Sequence, residues 1–495
     1  MGSAMGSRAG VRRKTQGSLA STRRKLLLGL GLGCILLVAT VLLLSSAADE
    51  RIREADPKLD AMLWDELLGW RDLFRATLSD KLPRDRHSLD HKIMQECWQH
   101  HSWLRIYTDP LCTLSWMRIL AHENIDFADS ILAVVTNKER KTEGVDAKSQ
   151  QNGGMRAYFS NAPGKLGMKG YWKPCSDTDL KSNRESFKGE VLAFLIDRLI
   201  GFYRTPAVVP RTFDEKELMR LARTNSNTTI AEANIHALET VLDRCGNKKG
   251  DIAEGAMVGW ANKDVKLLLR RKQQRPFFVE FFALDEEAME EVKEERFSIT
   301  ASSSAEDIRF ALENVAVNMF AVLTNNYNRF NHNLFIMERE SAIAGLPEFG
   351  PFIYLDNDRS KWRYHPVEEG KISEVNAFNR FCIFPKFMAK RLLLLRPGHS
   401  TSSVAEKAGS GERSGLEETT LGTLLLEMAE LYPDLYHGTL FDSTQAGYID
   451  GAVEVLTNAI TMCVEEYGEE NVLIEEPWQQ AHHYDPLATI TDVLR

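Results

Sequence analysis

Residues 26–44, LLLGLGLGCILLVATVLLL, run nineteen positions without a charge. As an α-helix at about 1.5 Å per residue the stretch is about 28 Å long, close to the hydrocarbon thickness of a bilayer. Arg23, Arg24 and Lys25 precede it, whereas Asp49 and Glu50 follow it. The positive-inside rule therefore keeps the short N-terminus cytosolic and sends the large C-terminal part into a lumen. The expectation is a single-pass type II signal-anchor: a basic tail over 1–25, an anchor over 26–48, a luminal stalk and helical segment over 49–152, and a folded domain over 153–495. A cleavable signal peptide ending near SSAADE is the alternative, and it would release the domain. Ser46 and Ala48 suit a peptidase, but nineteen residues exceed the usual apolar core of about 7–15.

Charge divides along the same line. Residues 1–25 hold seven basic residues and no acid, and the whole chain carries a formal charge of -9. Removing that tail leaves the body near -16, which argues against a general nucleic-acid binder. At 43% hydrophobic residues the chain can bury its own core without metals or staples. Cys34 lies in the apolar run, and six cysteines follow it: Cys97, Cys112, Cys175, Cys245, Cys382 and Cys463. In an oxidising lumen that even number suits disulfides, while buried free thiols remain an open reading. Asn227, in NTT, is a glycosylation acceptor by pattern.

Along the body, residues 49–150 read as polar and helical, a segment that packs on the main domain. The adjacent His100 and His101 beside Cys97 point apart on any regular element, so a metal site there is disfavoured. GGMRAYFSNAPGKLGMKGYWKPC, residues 153–175, suits a hairpin with a flexible connection. In KGEVLAFLIDRLIGFY, Val191, Leu192, Leu195, Leu199 and Phe202 share one helical face, and RTPAVVPR then runs extended. Residues 306–326 form a long amphipathic helix, and NLFIM and PFIYLD are two short strands. The basic run 263–275 and the acidic run 285–296 read as solvated helix faces. Residues 399–415 are a Ser/Gly-rich excursion, flanked by helices around 376–395, 416–431 and 448–467.

Four residues, in order, match what phosphoryl transfer requires. Lys173 ends an aromatic strand, where an ammonium can reach nucleotide phosphates. Glu190 opens the next helix and can pair with that lysine. Asn333, five residues after Asn328, has the spacing of a loop asparagine that takes a metal. Asp356 follows a strand, a usual way to present a metal-binding carboxylate.

KGEVLAFLIDRLIGFYRTPAVVPR and NNYNRFNHNLF followed by FIYLDND resemble segments of the secretory-pathway kinases, the group of four-jointed box kinase, Golgi casein kinase and the Golgi-associated kinases. NAFNRFCIFPKFMAKRLLLL and ITMCVEEYG resemble that family's C-terminal helices. The similarity covers residues 153–398 and 417–468. It implies an α+β, two-lobed, kinase-like fold, with a small strand-rich lobe over about 153–215 and a large, mostly helical lobe over about 216–495. It also implies ATP with Mn²⁺ or Mg²⁺ as cofactors: Lys173 on phosphate, Glu190 as its partner or a metal contact, and Asn333 and Asp356 on metal. A Cys382 to Cys463 disulfide follows from the same resemblance. So do a Golgi membrane location, secreted or cell-surface protein substrates phosphorylated on Ser or Thr, and oligomers with itself or a related kinase.

The departure is Asn328, followed by Arg329, where the family carries the Asp that accepts or orients the acceptor hydroxyl. An amide can position a hydroxyl but has no useful basicity. Losing acid-base assistance costs about 10²- to 10⁴-fold in rate. Three readings stay open: an active kinase with an altered catalytic loop, a pseudokinase acting as an allosteric or scaffolding partner, and a type II glycosyltransferase using Asp356 and Asp358 as a D-x-D signature.

Overall fold

The computed structural model describes residues 57–78, 87–99, 107, 109–122, 125–130, 155–159, 169–174, 186–223, 232, 235, 238–239, 252–259, 265–267, 305–326, 334–338, 349–355, 357, 378, 382–398, 419–430 and 440–475. Residues 26–44 and 399–415, Cys175, Cys245, and the His100 and His101 pair lie outside this set. Among the described residues no helix is long and apolar enough to cross a membrane.

In chain order the elements are α1 (Pro57–Leu78), α2 (His87–Gln99), α3 (Pro110–His122), β1 (Ile125–Ser130), β2 (Met155–Phe159), β3 (Lys169–Pro174), α4 (Ser186–Ile200), β4 (Val208–Asp214), α5 (Glu215–Arg223), β5 (Ile252–Gly259), β6 (Val265–Leu267) and α6 (Ala305–Thr324). They continue with β7 (Leu334–Glu338), β8 (Phe349–Tyr354), β9 (Phe384–Pro385), α7 (Lys386–Leu394), α8 (Leu421–Ala429), α9 (Ser443–Tyr467), α10 (Glu469–Val472) and β10 (Leu473–Ile474). Of residues 49–150, read as helical, the described parts form α1, α2 and α3 but also, against that reading, the strand β1, and α2 is clipped to α3 by a Cys97–Cys112 disulfide.

Five strands form an antiparallel sheet in the order β1-β2-β3-β5-β4, with β2 and β3 as the expected hairpin. Two of the five come from outside residues 153–215: β1 precedes that range and β5 follows it. β5 lies between β3 and β4, and its residues from Ala253 to Gly259 are all buried. A central strand covered on both faces shows no apolar alternation. Gly259 is required there by close approach, because a Cβ would stand 2.1 Å from the Trp116 ring of α3.

α4 departs from the one-faced helix that its periodicity suggests. Every residue from Phe187 to Ile200 is buried. The helix packs on β4 and β5 and is covered by α1, α6, α7 and α8. A helix with apolar cover all round is a core helix, so each polar group on it must find a partner within the protein.

A second sheet, β6-β7-β8, is antiparallel. Its edge strand β6 comes from the basic run read as a helix face. Val265–Leu267 instead pairs with Phe335–Met337, a tertiary pairing that outweighs the local charge pattern. The C-terminal part is helical as expected. α9 carries a capping box in which the Asp442 and Gln445 side chains each bond the other's backbone. Cys382, ahead of α7, is joined to Cys463 on α9, the pair that the family resemblance implies.

Candidate active site

Trp172 and Lys173 are successive residues of β3, so their side chains leave opposite faces of the sheet. Trp172 is fully buried, edge-on to Phe213 at 5.2 Å between centroids, and donates its indole N–H to the Arg211 carbonyl at 3.4 Å. That packing fixes the strand's rotation and sends Lys173 to the other face, opposite the small Ala256 of β5.

There Lys173 meets Glu190, the fifth residue of α4. Nζ donates to Oε1 at 2.5 Å. The carboxylate side chain is 1% exposed, whereas the lysine side chain keeps 17%. A buried carboxylate needs a cation, and here the cation remains reachable from one side.

The other end of α4 is closed by charge. Gly201, at φ 87, ends the helix, and the Gly201 and Phe202 amides both donate to the Asp197 carbonyl at 3.1 and 2.9 Å. The Asp197 side chain accepts the amides of Arg204 at 2.8 Å and Thr205 at 3.0 Å, folding the chain back toward β4. Arg198 pairs with Asp197 and donates to the Thr205 carbonyl at 2.9 Å. Burial raises the Asp197 carboxyl and lowers the Arg198 guanidinium, and each charge partly offsets the other's shift.

From this turn Arg204 reaches Glu313 on α6 through two bonds, at 3.2 and 2.7 Å, and donates to the Phe202 carbonyl at 2.7 Å. Glu313 also accepts the Phe352 amide at 3.0 Å, and the Arg204 carbonyl accepts the Tyr354 amide at 3.0 Å. Phe202, Phe320 and Tyr354 pack together with centroids 4.8 to 6.4 Å apart. The helix bearing Glu190 is thus fastened to α6 and to the end of β8.

Those two elements lead to the remaining predicted residues. α6 ends at Thr324, followed by Asn325 at φ 47 and by Asn326, which is 1% exposed and whose side-chain amide has no hydrogen-bond partner among the described residues. The chain is next described at Leu334, which stands opposite Tyr354 in the β7–β8 pair. Leu355 follows at the same end, and Asn357 is buried. Asn328, Arg329, Asn333, Asp356, Asp358 and Asn227 themselves lie outside the described residues. Of the site predicted from the sequence, the described residues bring together Lys173 and Glu190.

The sequence reading did not anticipate Arg204 and Glu313, the Cys97–Cys112 pairing, or the buried group made by Glu66, Tyr203 and Arg391. One signal was available for the first pair: charges inside otherwise apolar runs, Arg204 in FYRTPAVV and Glu313 in FALENVAV, imply buried partners.

Residues 174–411 match a protein-family model described as Fam20C: Golgi casein kinase, C-terminal, Fam20. The match begins one residue after Lys173 and takes in Glu190, Asn328, Asn333, Asp356 and Cys382. Among solved structures the chain is similar to hydra Fam20 with sugar, at 18% identity over 65% of this chain and 85% of that one, with a TM-score of 0.41. It is also similar to the Golgi casein kinase, at 14% identity over 82% of this chain and 92% of that one, with a TM-score of 0.47. The same kinase with Mn/ADP bound gives 14% identity, the same coverage and a TM-score of 0.44. No curated protein matches the chain.

Proposed function

We propose that the chain, whose residues 174–411 match the Fam20 Golgi casein kinase model, is a Golgi casein kinase-like protein that binds ATP with Mn²⁺ or Mg²⁺ and transfers phosphate to Ser or Thr of secreted or cell-surface proteins. The observation that carries this reading is the Lys173–Glu190 pair: a lysine of the third strand held at 2.5 Å by an acid of the following helix. Kinases use that arrangement to grip nucleotide phosphates.

In this reading Lys173 holds phosphate oxygens with the side of its ammonium that faces solvent. Glu190 orients the lysine and offers a second oxygen. The donor set suits a hard divalent ion, since Glu190, Asn333 and Asp356 supply only oxygen ligands. When bound, the metal would neutralise charge on the phosphates. Asn328 accepts a hydrogen bond from the acceptor hydroxyl through its amide oxygen and aims it, without taking its proton. The domain lies in the Golgi lumen behind the anchor of residues 26–48, with Asn227 glycosylated.

Asn328 also favours a second reading, a pseudokinase that binds nucleotide and works as an allosteric or scaffolding partner. The test uses full-length protein in detergent. ATP with MnCl₂ raises the melting temperature, and Lys173→Ala removes that protection. Absence of protection, or protection by a UDP- or GDP-sugar instead, overturns both readings. Asn328→Asp then separates them: an active kinase gains about 10²-fold or more in phosphate transfer, and a binding protein gains nothing.

A further inference from the structure

Arg391, on α7, ends against the last turn of α4. Its Nη1 donates to the carbonyls of Arg198 and Leu199 at 3.2 and 3.0 Å. Carbonyls in that position lack partners within the helix and sit at its negative end, so a guanidinium is a strong cap for them. Nη2 stands 2.8 Å from Glu66 Oε1 as an ion pair without hydrogen-bond alignment. Glu66 belongs to α1, far outside the residues that match the family. The same oxygen accepts the Tyr203 hydroxyl, and Trp70, one turn along α1, donates to that hydroxyl at 3.2 Å.

The junction has no slack. Arg391 is fully buried, Glu66 is 8% exposed, and the guanidinium lies over the Phe387 ring at 4.3 Å. Tyr203 is held in the left-handed region at φ 54. A Cβ on Gly201 would stand 2.5 Å from Phe387, so α4 ends as close to α7 as backbone allows. Burial works against the charge of Arg391, but Glu66 and Tyr203 outweigh it and hold the guanidinium above its ordinary pKa.

α4 is a rod with Glu190 near one end and this junction at the other, about 12 Å away at ~1.5 Å per residue. A helix packed on all sides shifts as a body, since close-packed interiors transmit displacement. We propose that Glu66 and Arg391 are positioning residues for the Lys173–Glu190 pair, so that α1, a segment outside the family-matched residues, sets how well that pair grips a nucleotide. The nucleotide part of this statement rests on the proposed function; the effect on the pair does not.

Two measurements on the full-length protein in detergent test it. The first needs no ligand: acylation of Lys173 by an N-hydroxysuccinimidyl ester, read by mass spectrometry, with exposed Lys92 as internal reference. Glu66→Gln keeps an acceptor for Tyr203 but removes the charge facing Arg391, and Tyr203→Phe, the milder change, removes one hydroxyl. Both should speed Lys173 acylation several-fold and leave Lys92 unchanged. Unchanged Lys173 reactivity in variants that remain folded overturns the proposal. The second is Mn²⁺-ATP affinity well below each variant's melting temperature, expected to fall roughly 5- to 150-fold, the usual range of coupling between sites. A lower melting temperature with affinity and Lys173 reactivity both unchanged marks the junction as merely structural and overturns the proposal. Faster acylation in a protein whose wild type binds no Mn²⁺-ATP upholds the positioning role and overturns the nucleotide reading alone.

Discussion

Two ion pairs fasten α4, and they differ in what they leave open. Arg204 and Glu313 are each 3% exposed and joined by two bonds. The Phe352 amide and the Phe202 carbonyl use up further capacity of the pair. Lys173 and Glu190 share one bond, and the lysine keeps a face toward solvent. A cation–carboxylate pair is closed off at one end and left reachable at the other. A pair closed off from solvent can only support the fold, whereas a pair with one member open to solvent can also meet a ligand.

The sharpest way to break this contrast is at the closed end. Glu313→Ala strands a buried guanidinium, at about 3–5 kcal/mol, and orphans the Phe352 amide, at about 1–3 kcal/mol more. Urea denaturation should show a protein at the edge of folding; a loss under about 1 kcal/mol would mean that the junction is not closed. Next come the covalent ties. Removing Cys382–Cys463, whose partners are 81 positions apart, should cost about 4.5 kcal/mol, and removing Cys97–Cys112, 15 positions apart, about 3 kcal/mol. Equal losses would show that chain entropy is not what separates them.

At the open end, the joint change of Lys173→Met and Glu190→Leu should leave stability within about 1–2 kcal/mol of wild type, since apolar replacement of both members of a buried pair is often neutral. It should also abolish Mn²⁺-ATP protection. The matching double change at Arg204 and Glu313 should not be tolerated, because Phe352 and Phe202 would lose partners. The smallest effect concerns Asp450 of α9, which accepts the Gly422 amide at 2.8 Å and the Thr420 hydroxyl at 2.9 Å. Burial raises its carboxyl above the ordinary 3.8. The folded state therefore favours the protonated form: this contribution is fully present below 3.8 and is lost as pH rises through the folded value. Asp450→Asn should flatten the melting temperature between pH 4 and 7 relative to wild type, and parallel curves would refute the assignment.

Local pattern made much of this legible. The helices around 186–200, 305–324 and 443–467, the β2–β3 hairpin, and the β7 and β8 strands follow from periodicity and turn chemistry, and Lys173 ahead of Glu190 could be read from their order. β5 was opaque for a physical reason. IAEGAMVG has small residues where Trp116 and Trp172 press on it, and burial on both faces removes the alternation that identifies strands. β1, IDFADS, is too polar to stand out. The junction of Glu66, Tyr203 and Arg391 joins residues up to 325 positions apart, and no local pattern encodes such a meeting.

The strand order also sets a timetable for synthesis. β3 is complete at residue 174 and β4 at 214, but the strand that lies between them ends at residue 259. At about 5–20 residues per second, β3 waits on the order of 4–17 s for its inner neighbour. Through that interval β3 and β4 present unpaired edges, a ready template for the wrong partner. A nascent chain stalled before residue 252 holds Lys173 and Glu190 without the strand that joins β3 to β4, so the window in which this protein most needs a chaperone is written into the order of its strands.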